Sequence, residues 1–222
     1  MAKISINQLA EFSNGTVATK KRIVKQQIKV DKNLVPWYQF AKSCIRRYLS
    51  NVSAYEAIDE GISILNEKKP QTPRQLLDKR VSLEALEKIR TLKLPQILIG
   101  MNYELVKPAI KSIVMAGVDI VISPDIIIRA KYKGKTVYGA VKIHICKGKP
   151  FDHNQAQYVS TLLHQYLKTQ VISKNEIALP ELCFCLDVFS DRIVSASEKP
   201  AFILDELKAF CIEIRKIWDT LQ

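Results

Sequence analysis

The sequence predicts an α+β fold, a helical N-terminal region followed by a mixed sheet, and three stretches carry that prediction. From Ser5 to about Leu92 the apolar residues recur mostly at helical spacing, between capping and turn residues. Residues 126–145 combine a β-branched run, a Lys133-Gly134-Lys135 turn signal and an alternating strand, the pattern of a β-hairpin. After Asp152 an amphipathic helix is followed by the alternating stretch Leu182 to Phe189, which reads as a further strand.

Taken in order, Ser5 or Asn7 caps a short helix through Phe12, and Asn14-Gly15 ends it with turn chemistry. Thr16 caps a second helix with few apolar positions and a surface of Lys20, Lys21, Arg22, Lys25 and Lys29. A third is expected to begin near Pro36 and to carry Trp37, Phe40, Ala41, Cys44, Ile45 and Tyr48 inward, with Lys42, Arg46 and Arg47 extending the basic surface. A fourth is expected from Ser53, packing through Ala54, Ala57, Ile58, Ile62 and Leu65. The polar stretch Lys68 to Pro73 is the best linker, dividing a basic helical region (1–70) from an α/β domain (71–222).

Beyond the linker, one helical stretch is expected around Arg74 to Arg80 and another from Ser82 to about Leu92. Strand character is expected from Leu94 to Val106. Residues 110–115 and 118–122 and the two hairpin strands are then expected to form one meander. Ile193-Val194 is expected to pair with the Leu182 strand. The last helix, Phe202 to Trp218, is expected to bury Phe202, Leu204, Leu207, Phe210, Cys211, Ile214, Ile217 and Trp218.

The 222 residues, 47% hydrophobic, suffice for one large or two small domains with real cores. No apolar run reaches the ~18 residues of a membrane span and the N-terminus lacks a signal-peptide core, so a cytoplasmic location is expected. The five cysteines are odd in number and contain no CxxC pair, indicating neither a disulfide framework nor a zinc knuckle. Walker, GxGxxG, GxSxG and HExxH patterns are absent.

The net charge of +12 is segregated: residues 1–50 carry +8, 51–100 carry +1, 101–150 carry +6 and 151–222 carry −3. Two basic blocks of this kind point to a polyanion, with nucleic acid the expected partner and DNA favoured. The candidate contacts are Lys20, Lys21, Arg22, Lys25, Arg46 and Arg47 in the first block and Lys131, Lys133 and Lys135 on the hairpin. Solvated helix faces in a basic protein are the plain alternative.

On the second hairpin strand Val137, Gly139, Val141, Ile143 and Ile145 share one face, and Tyr138, Ala140, Lys142 and His144 the other. Asp125, after Pro124, is thereby expected to meet Lys142 near one point, with His144 as a substitute ligand or base. Gly139 leaves a shallow spot for the close approach of a strand or a phosphate backbone.

Pro124-Asp125 followed by a strand bearing Lys142 resembles the PD-(D/E)XK superfamily, the restriction-endonuclease-like and RecB-like nucleases. Ala140 stands where that pattern has its second acid. The resemblance implies an αβββαβ core and a Mg²⁺ site with Asp125 and Glu104 as ligands, Glu84 and Glu87 competing for the place of Glu104, and Lys142 catalytic beside them. It also implies that Asn154 and Tyr158, four apart on the following helix, face nucleic acid. With one acid missing, the expectation is a degenerate, non-cleaving nucleic-acid-binding domain, and the resemblance implies a bacterial defence or mobile-element system. The alternatives are an active Mg²⁺-dependent nuclease with a relocated acid, and a scaffold whose acidic C-terminal segment docks a protein partner.

Overall fold

The computed structural model of the protein describes residues 1–29, 37–52 and 55–222. Strand β1 (Ala2–Ser5) leads into α1 (Ile6–Ser13), whose cap is Ser5, accepting from the Gln8 N–H. Helix α2 (Val17–Ile28) is capped by Thr16 in the same manner. Helices α3 (Gln39–Tyr48), α4 (Glu56–Glu67) and α5 (Pro73–Ile89) follow. The expected helix starts at Pro36 and Ser53, and Ala54, lie outside the described residues. Tyr38, with a left-handed φ of 61°, turns the chain into α3 and its N–H bonds the Asp78 carboxylate at 3.0 Å. The two helical stretches expected after the linker are a single helix: Thr72 caps it, Pro73 opens it and nothing between Arg80 and Ser82 interrupts it.

Two strand expectations are corrected. Residues 96–99 form a short helix, α6 (Gln96–Ile99), because Pro95 starts a helical turn that buries Leu98. After β2 (Tyr103–Leu105), strands β3 (Ser112–Met115) and β4 (Val118–Val121) do not join the meander. They form a separate three-stranded sheet, order β1-β4-β3, because β1 supplies a parallel partner to β4 over the register Ala2 to Ser5 against Val118 to Val121. A four-residue strand at the extreme N-terminus is too short to show a period in the sequence.

The main sheet contains β5 (Ile126–Tyr132), β6 (Lys135–His144), β7 (Ile177–Asp187) and β8 (Arg192–Ser195), in the order β2-β5-β6-β7-β8. It is mixed: β6 and β7 run parallel, connected through α7 (His153–Tyr166), and the other pairs are antiparallel. The predicted hairpin is present, with Lys133 and Gly134 at φ 49° and 77°, a two-residue turn of the twist-compatible primed type. Along the chain the main sheet takes β2, β5, β6, then α7, β7 and β8, with β3 and β4 set aside in the second sheet between β2 and β5, and the α+β class with a helical N-terminal region and mixed sheets is as predicted.

Two cores flank this sheet. Val137, Val141 and Ile143 of β6 pack with α3, α4 and α5, while Tyr138 and Ala140 pack on the opposite side with α1, α2, α7 and α8 (Ala201–Leu221). The period-two pattern of β6 therefore assigns each residue to its side. Within α8, Leu207, Cys211 and Ile214 are buried as expected, but Phe202 is 74% exposed, since the first turn of the helix overhangs the core. Gly139 is where β7 comes closest: a Cβ there would lie 2.5 Å from Leu182 Cβ. The register changes beside it, β7 advancing past Pro180, which has no N–H for the ladder. Among the described residues no helix is long and apolar enough to cross a membrane.

Candidate functional site

Asp125 leads into β5, following a left-handed Ser123 (φ 39°) and Pro124. Its N–H bonds the Val141 carbonyl at 2.8 Å, fixing the residue against β6. One carboxylate oxygen, Oδ2, accepts from the Ile143 N–H at 2.8 Å, so the side chain takes a ladder position at the end of the strand. The other, Oδ1, accepts from Arg46 Nη2 at 2.5 Å and lies 3.0 Å from Lys42 Nζ. Lys42 and Arg46 are one helical turn apart on α3, so they present side by side. The Asp125 side chain is 2% exposed, beneath an Arg46 that is 44% exposed.

Lys142 comes to the same place from β6. Its ammonium donates to the carbonyls of Ile122 (3.0 Å) and Ser123 (2.6 Å), holding the turn that delivers Asp125. Burial pulls the Lys142 ammonium down to about 8, against the opposing pull of Asp125, and the Lys42 and Arg46 charges push it the same way as burial. For Asp125, burial by itself pushes the carboxyl up. Lys42, Lys142 and Arg46, with the Ile143 N–H, outweigh it and hold the group below its ordinary value. Three cations thus surround one carboxylate, leaving an excess of positive charge that favours an anion.

Glu104 is not part of this cluster. It stands opposite Arg129 in the β2–β5 register and pairs with it at 3.0 Å. Arg129 is four positions along β5 from Asp125, about 13 Å at the ordinary strand rise. Glu84 is bound to Lys147 at 2.6 Å. Ala140, in the position of the second acid, is fully buried in the core against α7. A hard divalent cation needs several converging oxygen ligands. Here the single carboxylate has both oxygens engaged by donors, so the residues around Asp125 do not fit Mg²⁺.

His144 lies two residues beyond Lys142 on the same face. Its Nε2 bonds the Lys149 carbonyl at 2.9 Å, so that nitrogen carries the proton, and its ring stacks on Phe151 with centroids 3.6 Å apart. Burial lowers its pKa, with the Lys149 carbonyl and Asp187 opposing. Glu11 on α1 lies close enough to His144 to act on it electrostatically. Burial pushes the Glu11 carboxyl up, but Lys149 and Arg22, both bonded to its Oε1, bring it below its ordinary value.

The remaining candidates are distributed over several surfaces. Lys21 and Lys25 are exposed on α2, whereas Lys20 is tied to Glu213 at 2.7 Å and Arg22 to Glu11 at 3.0 Å. Arg47 pairs with Glu60. Lys131 donates to Thr136, and Lys133 lies over the Tyr132 ring, beside an exposed Lys135 at the hairpin tip. That tip is at the opposite end of β6 from His144, about 30 Å away along the strand. Asn154 is exposed, but Tyr158 is turned inward: its hydroxyl donates to Glu206 on α8 and its ring meets Phe210 edge-on. The helical spacing of Tyr158 thus serves the α7–α8 contact.

Lys42 as a direct partner of Asp125, and the two carboxylates that act on His144, Asp187 opposite it in the β6–β7 register and Glu11 on α1, are the participants that sequence reasoning passed over. The i, i+4 spacing of Lys42 and Arg46 was the available signal for the first. No known protein-family model matches the chain, and no curated protein matches it.

Proposed function

We propose that this chain is a cytoplasmic nucleic-acid-binding protein built on a degenerate PD-(D/E)XK-like domain that engages the phosphate backbone without cutting it. The observation that carries this reading is the neutralised Asp125: Lys42, Arg46 and Lys142 occupy the surroundings of the one acid that the nuclease pattern retains. A carboxylate held in that way organises cations, and organised cations attract phosphate. The +12 net charge and the exposed Lys21, Lys25 and Lys135 support the same partner. A bacterial defence or mobile-element setting follows from the superfamily resemblance alone.

The test is a mobility-shift titration with single- and double-stranded DNA and RNA, at several salt concentrations, with EDTA and with Mg²⁺. The expected result is affinity that falls steeply with salt and is the same in EDTA. No binding at low salt would overturn the reading and favour a protein-docking scaffold.

A further inference from the structure

Between the α1–α2 turn and the loop joining β6 to α7 lies a cleft of about 510 Å³ that the neutralised acid does not use. Its size is within the range of small-molecule sites. One part of its wall is aromatic, His144 stacked on Phe151 at an interplanar angle of 9°. Side chains of Gln8, Asn14 and Gln155 also line it, the Gln155 amide bonded to the Asp152 N–H and the Ala10 carbonyl and the Asn14 amide to the Asp152 carboxylate. Asn7 lines it too, and its buried side-chain oxygen has no hydrogen-bond partner. Glu11 inside the cleft is already matched by Arg22 and Lys149, so the acid does not repel an anion alone.

Flat rings, amide edges and cations are together the chemistry of a nucleotide: the base stacks, its edge bonds amides and its phosphate meets ammonium or guanidinium groups. The cleft also adjoins the cationic site, because His144 and Lys142 are successive residues on one face of β6, about 7 Å apart along the strand. We infer that the cleft receives one unstacked nucleotide of a single strand, its base against the His144 ring that the buried Phe151 backs, while the neighbouring phosphates run toward Lys42 and Arg46. This rests on the nucleic-acid reading above. It adds to that reading a preference for single strands or strand ends, since a paired and stacked base cannot enter such a cleft.

Gly148, which lines the cleft, is the place to test it, because a Cβ added there meets nothing within 4 Å. The probes are a single-stranded oligonucleotide carrying 2-aminopurine, a duplex of the same sequence, and AMP. Anisotropy of an end label reports total binding and 2-aminopurine emission reports stacking. For the native chain the expected result is a change in emission on binding of the single strand. Gly148→Trp is expected to lose about tenfold in single-strand affinity and the emission change, with duplex affinity kept. His144→Leu, which retains apolar bulk over Phe151, is expected to behave likewise. Binding by anisotropy with unchanged emission, or with both variants equal to the native chain, would overturn the cleft and leave the nucleic-acid reading standing. Binding of AMP that Gly148→Trp abolishes, without a matching loss for the strand, would overturn it in favour of a free-nucleotide site. No binding of any strand would remove both.

Discussion

Arg46 donates to Oδ1 of Asp125 at 2.5 Å, joining helix α3 to the residue that leads into strand β5 across 79 positions of chain. The bond makes the candidate site a junction between the N-terminal helices and the sheet. Its loss should therefore register in stability as well as in binding.

Removing Asp125 leaves Lys142 buried and Lys42 and Arg46 beside it without a counter-charge. Asp125→Ala is expected to cost about 3–5 kcal/mol, the usual penalty for breaking a buried charge cluster from one side. Arg46→Ala, removing a partly exposed partner while Lys42 and Lys142 remain, is expected to cost about 1 kcal/mol. Urea unfolding of the two variants checks the order, and equal costs would mean that Asp125 is not the centre of the cluster.

Lys142 should leave a mark at alkaline pH. Its pKa is about 8 in the folded chain against an ordinary 10.5, so between those values the unfolded chain holds a proton that the folded chain has released. Its contribution to stability therefore rises with pH across that window, by up to ~1.4 kcal/mol per pH unit. Below pH 8 both states are charged and the full cost of burying the ammonium is present. Cys183 and Cys211 act in the opposite sense: burial pushes them up to about 12, so unfolded thiols ionise first and stability falls above pH 9. The difference in urea midpoint between the native chain and Lys142→Met isolates the lysine. Native stability is expected to gain on the variant from pH 8 to 10, and a constant difference would contradict the burial of the ammonium.

The close approach of β7 at Gly139 gives a third expectation. Gly139→Ala would place a Cβ 2.6 Å from the Leu182 carbonyl oxygen, a backbone atom held in the sheet. The expected cost is about 1–3 kcal/mol, measured by thermal or urea unfolding. Gly134→Asn at the hairpin tip, where φ is 77° but nothing lies within 4 Å, is expected to cost far less.

The two basic surfaces can be told apart. Lys21→Glu with Lys25→Glu alters the α2 face, and Lys131→Glu with Lys135→Glu alters the hairpin tip, at the far end of β6 from the cleft. The α2 pair is expected to weaken binding roughly tenfold for all sequences and to reduce the salt slope by about 2. The hairpin pair is expected to have the smaller effect, and the reverse order in the salt titrations would move the nucleic-acid path to the tip.

How far the sequence could be read follows from what local pattern encodes. The Lys133-Gly134 turn, the opposite faces of β6 and the Asp152 cap of α7 were legible, because each depends on backbone preference or a two-residue period. The parallel pairing of β1 with β4 was not, since a partner more than a hundred residues away leaves no local trace. The meeting of Asp125 with Lys142 could be anticipated from strand alternation. The i, i+4 spacing of Lys42 and Arg46 puts them on one helix face, but that this face meets Asp125 could not be read, because it depends on how α3 crosses the sheet. Glu104 matches the pattern only in the order of elements, and its register opposite Arg129 puts it elsewhere. Tyr158 fitted a spacing motif that an amphipathic helix generates equally well, and α8 claims it.

The most direct test of the neutralised acid is a cleavage assay with Mg²⁺ and with Mn²⁺ on end-labelled single- and double-stranded DNA and on RNA, at protein concentrations that saturate binding. The expected result is that every strand is bound and remains intact, with no difference between the native chain and Asp125→Asn. Metal-dependent cutting by the native chain that Asp125→Asn or Lys142→Met abolishes would contradict it, and would mean that the three cations yield their carboxylate to a metal.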